Sequence, residues 1–176
     1  MALPKMYEWL NQETGPKMIV EALKLYGTKE VVGKQHNPVI LEWAKETGLQ
    51  AVYTADEIPW CGLVMAVICK RTDKPIPAAP LWALNWAKWE NEVQEPMLGD
   101  ICTFKRPGGG HVGLYIGEDK TAYHILGGNQ SNAFNIARIA KERLFKARRP
   151  IWKAAQPSNV RKVILSSTGS LSTNEV

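Results

Sequence analysis

Cysteine and histidine are both scarce, with three of each among 176 residues. Cys61 and Cys69 fall in one predicted helix, about 12 Å apart along its axis, whereas a disulfide needs Cα atoms within about 7 Å of each other. No two cysteines have the C-x-x-C spacing and the histidines are scattered, so the pattern argues against a zinc site. The sequence therefore predicts free thiols in a reducing compartment.

Long apolar runs are absent as well. No segment approaches the roughly 18 apolar residues of a membrane span, and the opening MALPKMYEWLNQETG has no run long enough for the core of a signal peptide. The composition, 45% apolar and 22% charged, is typical of a soluble globular protein, and the length suits a single domain with a core of its own. We expect synthesis in the cytoplasm, no export signal on the chain and no stable membrane insertion.

Negative charge is in the minority, and the formal net charge is +5. The basic residues concentrate in KERLFKARRPIWK (141–153). Such a patch favours anionic polymers: nucleic acid, teichoic acid, lipopolysaccharide or peptidoglycan. A solvated basic face without a dedicated partner explains the same residues equally well.

Patterns typical of helices come first along the chain, and patterns typical of strands follow. Apolar residues recur with helical spacing in the first half, where Asn37, Pro38 and Gly48 provide the cap, first residue and stop of one helix. The second half has short β-rich stretches separated by turn residues. This order predicts an α+β fold, N-terminal helices packed on a small antiparallel sheet, with a single domain over 1–155 and a polar, partly flexible tail over 156–176. The predicted helices are 15–27, 37–48, 61–71 and 80–92, and the predicted strands are 99–104, 111–118, 121–128, 134–139 and 143–151.

Cys61 opens the apolar stretch CGLVMAVICKR directly after Pro59 and Trp60. At the first turn of a helix, backbone N–H groups point outward and the helix dipole is positive, and both favour a thiolate over a thiol. The same N–H groups can stabilise the oxyanion that forms when a thiolate attacks a carbonyl. Taken alone, however, a cysteine at the start of an apolar helix is more often a packing residue. Cys69, two turns further along, is expected to have only that structural role.

His111 follows three glycines at the start of a predicted strand, where we expect it to be exposed on one side. A cysteine nucleophile needs such an imidazole as general base and later as general acid; a surface histidine in a turn is the plainer interpretation. If this strand and the next form a hairpin, Asn129 or Gln130 lies beside His111. A side-chain carbonyl there would fix the tautomer of the imidazole, as in a Cys-His-Asn arrangement, although an ordinary Gly-Gly-Asn turn explains the same residues without catalysis.

Taken together, four segments resemble the papain-like cell-wall hydrolases of the NlpC-type and CHAP superfamily. In chain order they are DEIPWCGLVMAVICK, MLGDICTFKRP, GGHVGLYIGED and ILGGNQSNAFNIARI. The pattern more closely resembles a subgroup that is common in bacteriophage genomes and often described as endolysins, and the resemblance covers roughly residues 15 to 152. The combination of motifs is specific, whereas any one of them alone would not be.

This resemblance implies a papain-like fold with Cys61 as nucleophile at a helix N-terminus, His111 as base, and Asn129, or alternatively Gln130, as the residue that orients the base. It also implies a cysteine hydrolase of peptidoglycan amide bonds, an amidase or endopeptidase, with no metal or organic cofactor and with peptidoglycan rather than nucleic acid as its partner. A phage enzyme of this kind would accumulate in the cytoplasm until a holin opens the membrane, and would then act in the periplasm and cell wall. The alternatives are a papain-like enzyme or effector with another amide substrate, and a non-catalytic module that binds cell wall or nucleic acid.

Further residues are expected at the cleft of such an enzyme. Trp60 would form one wall, Asp56 would order the loop or contact substrate amines, and Gly110 would leave bare backbone beside the site. In relatives a side chain upstream of the cysteine assists the oxyanion hole, and Tyr53 and Gln50 are the candidates here.

Three tryptophans, Trp82, Trp86 and Trp89, share one face of the predicted helix 80–92. Aromatic rings in a row can stack on sugars, but packing against the core is the favoured explanation. His124 is expected to be packed or on the surface rather than catalytic. Gly62, where many relatives have a bulkier small residue, is expected to loosen the first turn of the helix.

Overall fold

The computed structural model of the protein describes residues 2–33, 35–167, 169–173 and 175. Within these residues, three α-helices precede a six-stranded antiparallel sheet, so the predicted α+β class is confirmed. Short 3-10 helices cover Lys5–Gln12, Ala83–Lys88 and Lys141–Arg143. Across the described ranges, no helix has the length and apolar character that crossing a bilayer requires. The helices are α1 (Lys17–Leu25), α2 (Pro38–Thr47) and α3 (Cys61–Arg71); the strands are β1 (Asn91–Val93), β2 (Ile101–Arg106), β3 (Gly109–Glu118), β4 (Ala122–Gly127), β5 (Asn135–Ala140) and β6 (Leu144–Arg149).

The limits of α2 follow from its sequence, as predicted. The side chain of Asn37 accepts a hydrogen bond at 2.9 Å from the backbone N–H two residues on, and Pro38 takes the first helical position. Gly48 ends the helix at φ 76°, a left-handed conformation that glycine adopts without strain. α3 is different, because residues 61–69 are all buried, which explains why its sequence is apolar all round.

The helix predicted over 80–92 is wrong. The chain forms only a 3-10 helix, Ala83–Lys88, and then turns into β1, which pairs with β6. Trp86 and Trp89 are buried and their rings lie 6.3 Å apart; their spacing of three residues is one turn of a 3-10 helix. Trp82 lies outside that helix and is 74% exposed. Two of the three tryptophans therefore belong to the core, and the third does not.

The sheet has the strand order β1-β6-β2-β3-β4-β5. Strands β2 to β5 form the predicted meander, but β6 returns to pair with β2 on the other side. Alternating residues of the strands face opposite ways, and both faces are covered: α3 and the other helices pack on one side, and a smaller apolar cluster that includes Phe104 and Tyr115 fills the other. The sheet is therefore an inner layer, and its β3 strand runs past the first turn of α3.

The tail after residue 155 makes contacts that its polar composition did not predict. Backbone hydrogen bonds join Val163 and Leu165 to Glu118 at the end of β3. Further along, the buried carboxylate of Glu175 forms an ion pair with Arg143 at 2.7 Å. Positions 168, 174 and 176 of the tail lie outside the described residues.

The basic segment 141–153 is largely neutralised within the chain. Its cations form ion pairs with carboxylates on neighbouring strands, loops and the tail. This observation favours the plainer interpretation of the segment, because paired charges leave little net field to attract an anionic polymer. The pairs are Lys141–Glu118, Arg143–Glu175, Lys146–Glu92, Arg148–Glu92, Arg149–Asp100 and Lys153–Asp73.

Candidate active site

Cys61 is the first residue of α3 and lines an open cleft of about 320 Å³. The side chain is 3% exposed, and backbone N–H groups of Val112 and Gly62 point at its sulfur. Val112 is the residue after His111 in β3, so the first turn of α3 and the start of β3 meet at this sulfur. Backbone N–H groups placed in this way can also stabilise an oxyanion formed beside the sulfur.

The resting state of Cys61 is a thiol. Burial raises the pKa of Cys61 above its usual value, and the N–H groups of Val112 and Gly62 lower it by less. The N–H groups at the helix start therefore act in the expected direction, but burial outweighs them. A base must remove the proton before the sulfur can attack.

Gly62 is required by a close approach of the backbone, and does not loosen the helix. A Cβ atom at this position would lie 2.1 Å from the carbonyl oxygen of Pro80 and 3.1 Å from the backbone of Leu81. The segment that leads to Trp82 can therefore cross directly over the first turn of α3. This crossing forms one wall of the cleft, since Leu81 and Trp82 both line it.

His111 is the third residue of β3 and is fully buried, so the expected exposure on one side is not found. Its Nε2 lies 3.0 Å from Oε1 of Gln130. The amide nitrogen of Gln130 donates to the backbone oxygens of Asn135 and Ile125, at 2.7 and 3.2 Å. Because that nitrogen is fully used as a donor, the oxygen of Gln130 faces the imidazole, and Nε2 of His111 carries the proton. Nδ1 of His111 is then the basic atom, with its lone pair free.

The hairpin of β3 and β4 brings the two predicted segments together. The strands pair with Leu114 opposite Leu126, which places the start of β3 beside the end of β4. The partner of His111 is nevertheless Gln130, the alternative, and not Asn129. Asn129 has a left-handed backbone with φ 57°, which asparagine tolerates better than most residues, and its side-chain oxygen has no hydrogen-bond partner within the described residues.

His111 is neutral over most of the pH range. Burial lowers the pKa of His111 to about 4, although the nearby carboxylate of Glu175 and the hydrogen bond to Gln130 both act in the opposite direction. A neutral imidazole has the free lone pair that a general base needs.

Cys61 and His111 are connected through the backbone of Val112 and are not hydrogen bonded to each other. Nδ1 of His111 is buried and has no hydrogen-bond partner in the described part of the chain. In ligand-free enzymes the hydrogen bonds of catalytic pairs are often long and tighten only when substrate binds. The arrangement is therefore a buried thiol and an unpartnered neutral base, both at the junction of α3 and β3.

Of the four residues expected to line the cleft, only Gly110 does so. Trp60 is fully buried, with its ring 6.0 Å from that of Trp43. Asp56 is also fully buried, and accepts hydrogen bonds from the backbone of Val31 and Asn37 and from the side chain of His36. Trp60 and Asp56 therefore pack behind the loop that precedes Cys61 and are not available to a substrate.

Tyr53 is buried, and its hydroxyl donates to the backbone oxygen of Ile58 at 3.1 Å. That bond positions the loop before Cys61, because Ile58 lines the cleft. Gln50, the other candidate for the oxyanion hole, is exposed. Neither side chain lines the cleft, so neither is placed to assist an oxyanion.

Arg106, a cleft residue, was missed by the sequence interpretation. Arg106 is the last residue of β2 and lies opposite Gly109 across a tight Pro107–Gly108 turn. The turn signal in RPGGGH would have placed Arg106 next to the glycines before His111. Trp82 also lines the cleft, although core packing was the favoured explanation for it.

His124 is a buried structural residue, as expected. Its Nδ1 lies 2.7 Å from the hydroxyl of Tyr7, and its Nε2 lies 2.8 Å from a carboxylate oxygen of Asp119. The three side chains fasten the N-terminal 3-10 helix to the sheet and do not line the cleft. Within the described residues, no group of three or more His, Cys, Asp or Glu side chains is placed to hold a metal ion.

Comparisons with known proteins add no assignment to this site. No protein-family model matches the chain, and no curated protein matches it either.

Proposed function

We propose that this protein is a papain-like cysteine hydrolase that cleaves peptidoglycan amide bonds and acts as a phage endolysin. One observation carries the cysteine chemistry of the proposal: the thiol of Cys61 lines an open cleft, with backbone N–H groups of Val112 and Gly62 pointing at its sulfur, beside the strand that carries His111, whose Nε2 lies 3.0 Å from Gln130. The peptidoglycan substrate and the endolysin role rest on the resemblance of the four sequence segments to cell-wall hydrolases. A purely structural cysteine needs neither an opening to solvent nor an oriented base. Cys69 is the example in the same helix, since it is fully buried and lines no part of the cleft.

The first half of the reaction forms a thioester. Nδ1 of His111 takes the proton from the thiol of Cys61, and the sulfur attacks the carbonyl carbon of the scissile amide. The backbone N–H groups near the sulfur hold the oxyanion that results. The carbon–nitrogen bond then breaks, and the protonated His111 gives its proton to the leaving amine.

The second half restores the enzyme. His111, neutral again, takes a proton from a water molecule, which attacks the thioester carbonyl. The carbon–sulfur bond breaks, the sulfur regains a proton from His111, and the carboxylic acid product leaves. Gln130 keeps the proton on Nε2 throughout, so that Nδ1 remains the atom that exchanges protons with the sulfur.

Loss of turbidity from purified bacterial cell walls tests this proposal. We expect the wild type to clear the suspension and Cys61→Ala to be inactive, with Cys69→Ala as the matched control that retains lysis. Mass spectrometry of the soluble fragments then identifies the bond that is cut. Equal lysis by Cys61→Ala would contradict the proposal, and a protein that sediments with walls but releases no new amines would be a binding module instead.

A further inference from the structure

The cleft in front of Cys61 is apolar apart from a single charged side chain. Its walls come from the loop before α3, the segment leading to Trp82, and the turn between β2 and β3. The charged side chain is that of Arg106, at the end of β2. The residues that line the cleft are Ile58, Pro59, Cys61, Leu81, Trp82, Ala83, Arg106, Gly108, Gly109 and Gly110.

The charge of Arg106 is not neutralised by the described residues. Its one side-chain hydrogen bond runs from Nε to the backbone oxygen of Gly110, at 3.3 Å, and leaves the two terminal nitrogens without a protein partner. Other arginines of the same sheet are held by carboxylates, such as Arg149 by Asp100 and Arg138 by Asp119. A half-buried guanidinium that lacks such a partner beside a proposed nucleophile has its donors available to a ligand.

The backbone holds Arg106 in place. Pro107 and Gly108 form the tight turn that follows, with Gly108 at φ 75°. The bond to Gly110 fixes Nε, so the two terminal nitrogens are presented together. The charge of Arg106 also acts on the proposed nucleophile. Burial raises the pKa of Cys61, and Arg106 is among the groups that lower it.

We propose that Arg106 binds a carboxylate of the substrate, so that the cleft selects peptides that carry a free carboxylate close to the scissile amide. A guanidinium with two adjacent donors matches the two oxygens of a carboxylate. Among the described residues, Arg106 is the one cation that lines the cleft, which suits a single carboxylate. Trp82, 74% exposed in the same cleft, covers an apolar part of the same substrate. This inference rests on the proposed function, because it assigns the substrate class of the same site.

Two measurements with one set of ligands test it. The ligands are a synthetic peptidoglycan stem peptide with its carboxylates free, and the same peptide with each carboxylate in turn converted to the carboxamide. Hydrolysis is measured for the wild type, Arg106→Gln and Arg106→Lys. Binding is measured by calorimetry in the Cys61→Ala background, with and without Arg106→Gln, so that it does not depend on turnover. Lys105→Gln is the matched control, because Lys105 is the neighbouring exposed cation and lies over the ring of Phe145.

We expect amidation of one particular carboxylate to lower kcat/KM about 10- to 100-fold in the wild type. In Arg106→Gln, the free and amidated peptides should be used equally poorly, and Arg106→Lys should fall between the two. Lys105→Gln should behave as the wild type. The binding constants of the Cys61→Ala proteins should show the same dependence on Arg106 and on the carboxylate.

Equal effects of Arg106→Gln on the free and amidated peptides, or no preference for any free carboxylate, would overturn the inference. The binding measurement distinguishes a failure of this inference from a failure of the proposed function. If the wild type hydrolyses no peptide or wall while binding still depends on Arg106 and the carboxylate, then the catalytic proposal fails and the ligand class stands. If the wild type hydrolyses walls while neither measurement depends on Arg106, then this inference fails and the catalytic proposal stands.

Discussion

Gln130 and Asn129 are neighbours with similar side chains, yet only Gln130 reaches His111. The left-handed backbone at Asn129 alters the direction of the chain, and the longer side chain of Gln130 extends back to Nε2 of the imidazole. Asn135 holds the amide of Gln130 in this orientation. The imidazole is thus oriented by Gln130, one residue further along the chain than Asn129, which the resemblance favoured.

Replacing Gln130 by Ala should therefore lower kcat of wall hydrolysis about 10- to 100-fold with little change in KM, because the imidazole loses its fixed tautomer. Asn129→Gly is the control, since glycine accepts the same backbone conformation and removes the other amide. Steady-state kinetics on a soluble stem peptide distinguishes the two. A larger loss of kcat for Asn129→Gly than for Gln130→Ala would assign the orienting role to Asn129 instead.

The acid limit of activity should lie near pH 4. The proposed base works only while it is neutral, and burial lowers the pKa of His111 to about 4, so kcat/KM should be constant above that pH and fall as the pH decreases through it. Because the pKa of Cys61 is raised, its titration causes no loss of activity at acid pH. Gln130→Glu should move the limit to higher pH, because a carboxylate beside Nε2 stabilises the imidazolium.

The pH profile of kcat/KM, measured with a soluble peptide, checks this, and alkylation by iodoacetamide provides a second readout. Alkylation of Cys61 should still increase with pH above pH 8, since the resting residue is a thiol and not part of a preformed ion pair. A limit close to pH 6.5 would show that His111 is solvated when the enzyme works.

At the scale of elements, the cleft exists because a loop crosses the first turn of α3. The carbonyl oxygen of Pro80 occupies the space where any side chain at position 62 would begin. The buried rings of Trp86 and Trp89 anchor this loop, as their indole nitrogens donate to the backbone oxygens of Pro80 and Pro75, both at 2.8 Å. The wall of the cleft therefore depends on the packing of Trp86 and Trp89 and on the absence of a Cβ atom at Gly62.

Gly62→Ala should destabilise the protein by about 1–3 kcal/mol, the usual range for inserting a methyl group into a packed site. It should also raise KM, since the Pro80–Trp82 segment must move away from α3. Urea denaturation and steady-state kinetics measure the two effects. Gly109→Ala is the control for stability, because its Cβ would meet only the guanidinium of Arg106 at an ordinary 3.6 Å. If Gly62→Ala were as stable as Gly109→Ala, the crossing would be looser than the structure indicates.

At the scale of the whole molecule, both ends of the chain are fastened to the sheet. The N-terminal 3-10 helix is joined to β4 through Tyr7 and His124, and the tail is joined to β3 through the backbone of Glu118. Both attachments use buried polar groups, which stabilise a fold only when they are fully paired. None of the cleft residues belongs to either attachment.

Tyr7→Phe should lower the free energy of unfolding by about 1–3 kcal/mol, because Nδ1 of His124 is left buried without a partner. The rate of wall lysis per folded molecule should remain that of the wild type. Tyr26→Phe is the matched control, since no hydrogen bond of its hydroxyl is found within the described residues, and it should unfold as the wild type does. Urea denaturation measures the stabilities. Loss of lysis by folded Tyr7→Phe would connect this end of the chain to the site.

The sequence by itself determined the α+β class, the limits of α2, the apolar α3 with Cys61 at its start, and the hairpin that brings the 129–130 segment to His111. These features follow from local periodicity, caps and turn residues, all of which act over a few positions along the chain. Only the tertiary structure decided that Cys61 and His111 are buried and uncharged, that Gln130 is the partner, and that Asp56 and Trp60 lie behind the loop. It also decided that the cations of 141–153 are paired while Arg106 is not. Burial, pKa and charge pairing depend on atoms that are distant in sequence, such as the Pro80 carbonyl over Gly62 or Glu175 against Arg143, and no local pattern contains them.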